Sequence, residues 1–299
     1  MKCHNLDKYI LLSLAAIVGS GCSDSIQYSD KHDTLSPINL SAVYPSATRA
    51  SDAGFENGDK MGLYVLDYFD GNPQDINDPD INASNVRFDF NGSDNSWTGV
   101  TDVYWKNGST PADIIGYYPY VSGVVYPEEM SFSVSSHQDA VATDLSLGGY
   151  ESSDLLWGAA LKQMPSAGKV QLTLNHILAG IRITLKEGSG FGASEWAELD
   201  KSVIIPSTIL GGTVNLCDGS VKVGSSAPKS IVPMQYNGDY RTIVFPQEVS
   251  AGTSLVSVSV DGVGYNLVRQ EPVSFISGKM HTFTITVDKK SNGNYEFSL

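Results

Sequence analysis

The chain has 299 residues, 33 of them acidic against 19 Lys or Arg, for a net charge of −14. That balance excludes the basic face nucleic acid requires, so no nucleic-acid partner is expected. It suits a soluble extracellular surface.

Lys2 and Lys8 form a short basic region before an apolar run, YILLSLAAIV, at residues 9–18. The run is too short for a membrane helix, which needs roughly 20 apolar residues, and fits a secretory signal instead. It leads into VGSGC, which resembles the lipobox of bacterial lipoproteins. That resemblance implies cleavage of residues 1–21, lipidation of Cys22 and attachment to the outer membrane. Asp24 follows closely, as in the acidic run that resembles the surface-export signal of Bacteroidetes lipoproteins. Removing the leader leaves Cys22 for lipid and Cys217 by itself. No intrachain disulfide is then available, and the core must supply the stability.

Residues 22–49 read as a lipidated tether that ends in a strand. Ile38, Leu40, Ala42 and Tyr44 alternate with Asn39, Ser41 and Val43, the period of a half-buried strand. Pro45 ends the pattern, and small polar residues lead to Arg49, one of only five arginines. A shifted register would point Val43 inward instead. Further strands are expected over residues 60–68, 85–91, 170–186, 254–262 and 281–288, separated by Gly, Asn, Asp and Pro. Only residues 192–200, GASEWAELD, read as a short helix. The polar stretch MPSAGK at residues 164–169 predicts a boundary between two β-sandwiches, residues 50–165 and 166–299, the second ending in a short tail.

Enzyme signatures are missing: the chain has no GxSxG, HExxH, CxxC, P-loop or dinucleotide fingerprint. It reads as a protein without catalysis, cofactor or metal. His176 lies inside an apolar run and reads as a hydrogen-bonded core histidine. Cys217 has only Lys222 as a nearby cation and reads as a structural thiol. Residues 67–84 are dense in Asp and Asn, as calcium loops are. The loop order fails, however, because Pro79 and Asp80 occupy the fifth and sixth places counted from Asp75. Tyr117, Tyr118 and Tyr120, with Trp97 and Trp105, either pack at a sheet edge or offer a platform for sugar rings.

Five phrases occur together in order: FENGDKMGLYV (55–65), DIIGYYPY (113–120), DLLWGAA (154–160), VQLTLNHILAGIRITL (170–185) and FISGKMHTFTITV (275–287). With the lipobox, this set resembles the fimbrillin-like (Mfa-like) proteins of Bacteroidetes, which build type V pili. The resemblance implies an all-β fold of two tandem transthyretin-like β-sandwich domains with Greek-key-type connections. It also implies a fimbrial subunit at the cell surface, exported as a lipoprotein and cut between Arg49 and Ala50. Loss of the strand bearing Ile38, Leu40, Ala42 and Tyr44 would open a groove, which another subunit fills by β-strand addition. The tail YEFSL alternates Tyr295, Phe297 and Leu299, a short candidate donor strand. The alternative is a lipid-anchored adhesin that does not polymerise and binds a host or bacterial surface glycan or protein.

Overall fold

The computed structural model describes residues 35–43, 54–143 and 146–299. The expectations for residues 1–21, Cys22, Tyr44, Arg49 and Ala50 fall outside the described residues.

The first part of the chain forms β1 (Asn39–Val43), β2 (Lys60–Phe69), β3 (Asn72–Pro73), β4 (Ala83–Asn91), β5 (Ser96–Gly99), β6 (Ala112–Tyr118), β7 (Met130–Ser133), β8 (Leu156–Gln163), β9 (Lys169–Thr173) and β10 (Asn175–His176). The second part forms β11 (Ala179–Glu187), the one-turn helix α1 (Glu195–Glu198), β12 (Lys201–Thr208), β13 (Gly211–Val214), β14 (Val221–Val223), β15 (Lys229–Ile231) and β16 (Met234–Tyr236). It continues through β17 (Asp239–Val244), β18 (Gln247–Val249), β19 (Ser254–Val260), β20 (Val263–Val268), β21 (Val273–Phe275), β22 (Met280–Lys289) and β23 (Tyr295–Ser298). The protein is all-β, as its alternating pattern predicts.

Nine strands make the first sheet, in the order β10-β8-β6-β2-β4-β5-β1-β9, with β3 paired to β2. The two ends of that order, β9 and β10, are separated in sequence only by Leu174. One continuous segment therefore closes the sheet on itself and leaves little free edge, the usual defence against uncontrolled strand pairing. Closure needs a close approach at Gly158, where an added Cβ would sit 2.2 Å from the Thr173 carbonyl oxygen. Gly158→Ala is expected to destabilise by about 1–3 kcal/mol, the usual range for overpacking. Gly108→Ala, with nothing within 4 Å of its Cβ, is the control. Equal urea midpoints for the two variants would show that the approach is not tight.

Two apolar clusters lie on opposite faces of this sheet. Met61, Leu63, Val65 and Ile114 point into the enclosed core with Leu40, Trp97 and Leu172. Tyr64, Leu66, Ile115 and Tyr117 point the other way, onto Ile181, Ile183, Phe245 and Ile285 of the second part. Strands buried on both faces read as continuous apolar runs, which is why LYVL and DIIGYY lack alternation.

The second part builds the sheets β16-β17-β11-β22-β23 and β15-β12-β19-β20, with the smaller sheets β14-β13-β7 and β18-β21. Strand pairing crosses residue 165 in both directions. β7 pairs with β13, Met130 opposite Val214, while β9 and β10 belong to the first sheet. Residues 164–169 are thus a connection inside that sheet, because Val170 and Leu172 are needed in its core. The apolar run 170–186 divides into β9, β10 and β11 for the same reason: Leu172 and Leu174 enter one core, and Ile177, Leu178 and Ile181 the other.

Candidate functional site

β1 is a graft in the first sheet. It runs parallel to β9 over five residue pairs, from Asn39 opposite Lys169 to Val43 opposite Thr173. On its other side it meets β5 at one pair, Leu40 opposite Trp97. Backbone bonds extend the seam: Ile38 N–H donates to the Val103 carbonyl (2.8 Å), Trp105 N–H to the Ser36 carbonyl (2.9 Å) and Leu174 N–H to the Val43 carbonyl (2.8 Å).

The alternation sets which side chains fill the slot. Ile38, Leu40 and Ala42 are buried, at 5%, 2% and 9% exposure, while Val43 is 45% exposed. The structure therefore carries the unshifted register. Ile38 and Leu40 each contribute about 1.5–3 kcal/mol by leaving water. The slot walls include Trp97, Val103, Trp105, Val170 and Leu172, all in the same cluster. Sequence reading left Trp97 and Trp105 between sheet-edge packing and a sugar platform and gave no role to Val103. The alternation of Val170 and Leu172 was visible, but their partner strand lies about 130 residues earlier in the chain.

The aromatic platform does not form. Trp97, Trp105, Tyr117 and Tyr118 are at most 8% exposed, so their faces are closed to a sugar ring. Their polar ends explain how tyrosines fit a core. The Tyr117 hydroxyl donates to Asn85 Oδ1 (2.6 Å), and the Tyr118 hydroxyl to Asp59 Oδ1 (2.9 Å). His176 is a core histidine, its Nδ1 2.8 Å from Asp154 Oδ1 with both side chains under a tenth exposed. Cys217 is buried beside Glu128. In the Asp/Asn-rich loop the carboxylates accept from their own backbone: Asn77 N–H donates to Asp75, and Asp80 N–H to Asp78.

The tail forms a hairpin with β22, Val287 opposite Phe297 and Lys289 opposite Tyr295. Tyr295 stacks on Phe191 (6.0 Å) and Phe297 on Tyr265 (5.0 Å), while Leu299 is 57% exposed. β23 lies at the edge of its sheet. Tyr295, Phe297 and Leu299 share the i, i+2, i+4 spacing of Ile38, Leu40 and Ala42.

The fimbrillin-like family model matches residues 48–298. A protein of Bacteroides uniformis assigned as a fimbrium subunit, Fim1C, is 25% identical over 291 residues, covering 92% of this chain and 88% of that protein. Two crystal structures of proteins assigned to cell adhesion share the fold. One, from Bacteroides uniformis, is 20% identical with a TM-score of 0.60. The other, from Bacteroides ovatus, is 16% identical with a TM-score of 0.62. Each covers 88% of this chain and 95% of its own.

Proposed function

This chain belongs to the fimbrillin-like family, and on that premise we propose that it is a structural subunit of a cell-surface fimbrium, joined to its neighbours by strand replacement. The observation that carries the reading is β1. It lines the core of the first sheet with Ile38, Leu40 and Ala42, yet it is the first described element of the chain and is joined to the rest only through residues 44–53. A strand in that position can be released by one cut in the chain without severing any other strand. Cutting after Arg49 frees β1, and the vacated slot exposes the backbone edges of β5 and β9 with an apolar floor between them. An added strand satisfies both.

In this reading export proceeds through a lipid on Cys22, which holds the precursor at the outer membrane until the cut releases it. β1 is a temporary filler that keeps the slot closed in transit. β23 with Leu299 just beyond it is the donor, since it sits at a sheet edge and the two together carry three alternating apolar side chains. The role is structural rather than catalytic.

Arg49→Ala tests the processing step. The variant is expected to stay lipid-bearing and monomeric on its own cell, while the parent yields a mature chain beginning at Ala50. N-terminal sequencing and mass read the outcome. Polymer formation by the variant at the parent's level would defeat the processing reading.

A further inference from the structure

Arg182 and Arg241 stand directly opposite each other on the antiparallel strands β11 and β17. Like charges in that position are unfavourable. The two side chains share one carboxylate. Asp239 Oδ2 lies 3.7 Å from Arg182 Nε and 3.9 Å from Arg241 Nη2, both too long for a hydrogen bond. Asp239 Oδ1 accepts from the Thr184 hydroxyl instead (2.6 Å). Among the described residues no other carboxylate pairs with either guanidinium. The Arg241 side chain is only 9% exposed. Its Nε and Nη1 nevertheless have no hydrogen-bond partner, and neither has Arg182 Nε. The Tyr236 ring lies over the Arg241 guanidinium, 4.9 Å from its centre.

A guanidinium this deep is costly unless an anion meets it. Here one carboxylate serves two cations, which leaves a surplus positive charge in a chain of net charge −14. Packing gains nothing from that arrangement, whereas a bound oxyanion balances it. The surroundings narrow the ligand. One row across four strands of the sheet reads Met234, Arg241, Arg182, Thr282, and the next reads Tyr236, Asp239, Thr184, Thr284. Thr282 and Thr284 are exposed, Tyr236 is 37% exposed, and a third of the Arg182 side chain is open to solvent. The same two threonines line a surface recess with Arg269. A planar carboxylate matches the fork of a guanidinium. Hydroxyl groups match threonines, and an open aromatic ring takes the C–H face of a sugar. A bare ion would use the arginines alone.

We propose that this face of the second part of the chain binds a carboxylate-bearing sugar, such as a hexuronic acid unit of an acidic polysaccharide. Arg182 takes the carboxylate and Arg241 adds its charge from below. Thr282 and Thr284 meet the ring hydroxyls, and Tyr236 flanks the sugar. A subunit so equipped carries its own contact to an acidic polysaccharide, separate from the slot of β1.

Titration calorimetry on the full chain at low salt compares a hexuronic acid oligosaccharide with its methyl ester, which keeps the sugar and removes the charge. The acid is expected to bind, and the ester to bind about tenfold more weakly, the scale of one charge-assisted hydrogen bond. Arg182→Gln should weaken the acid by a similar factor and Thr282→Val by about threefold. Arg87→Gln, in β4 of the first sheet, should leave binding unchanged. Arg182→Gln should also keep or raise the urea midpoint, because it removes a like-charge neighbour of Arg241. That result separates a lost site from a lost fold. No binding of the acid, or equal binding of acid and ester, would overturn the proposal. Inorganic sulfate binding as tightly as the acid would reduce the face to an adventitious ion only, and tighter binding of a hexaglutamate peptide would assign it to a protein partner. Either result overturns the sugar site. A lower midpoint for Arg182→Gln would mean that the arginines are already balanced within the fold, and would overturn it too. The slot of β1 lies in the first sheet and this face in another, so failure here leaves strand replacement standing.

Discussion

A chain cut after Arg49 and stripped of the released segment should melt about 10–20 °C lower than the intact protein and recover when a synthetic peptide of residues 36–49 is added. The size follows from the slot. Ile38 and Leu40 are nearly fully buried, and their exposed cavities, with unpaired edges on β5 and β9, remove roughly 5 kcal/mol. For a chain of this size each kcal/mol shifts the midpoint by about 2–4 °C. The intact chain should not bind the peptide, because β1 already occupies the slot. A peptide carrying Leu40→Asp should fail, since it would place a carboxylate against Trp97 and Val170. Within the intact chain Leu40→Ala is expected to cost about 2–5 kcal/mol, and Val43→Thr, on the exposed side, under about 0.5 kcal/mol. Equal rescue by the parent and Leu40→Asp peptides would mean that the side-chain pockets do not hold the strand.

Ile38, Leu40 and Ala42 were legible because a period of two is written in neighbouring residues, and burial follows it directly. The strand expected over residues 281–288 was legible for the same reason, and the one over residues 60–68 through its β-branched and aromatic content. Tyr117 and Tyr118 misled because tyrosine is at home on a surface and in a core, and the choice depends on distant partners. Asn85 is 32 residues from Tyr117 and Asp59 is 59 residues from Tyr118. The partner of His176 was hidden in the same way. Asp154 comes beside it because β10 pairs with β8, His176 opposite Leu156, and no local pattern announces that pairing. The break at residues 164–169 has the composition of a boundary and the role of a turn. A Pro/Gly stretch marks where the chain bends, whereas the line between cores follows which side chains each core needs.

Removing residues 291–299 should separate the donor from the acceptor. The truncated chain loses the β22–β23 ladder and the stacks of Tyr295 on Phe191 and Phe297 on Tyr265. Aromatic pairs contribute about 0.5–1.5 kcal/mol each beyond their buried area, so a loss of roughly 2–4 kcal/mol is expected, confined to the second part of the chain. The slot lies in the first sheet and does not touch the tail, so after the cut at Arg49 the truncated chain should still take the peptide of residues 36–49. It should not polymerise, because it has an acceptor and no donor. Phe297→Ala refines the point: it keeps the strand but removes the middle of the three alternating apolar side chains Tyr295, Phe297 and Leu299. It should therefore slow polymerisation while leaving peptide uptake at the parent's level. Electron microscopy and size-exclusion chromatography read both variants. Fibres from the truncated chain at the parent's rate would move the donor to another strand, and loss of peptide uptake in that variant would mean that the two parts fold as one unit whose slot depends on β23.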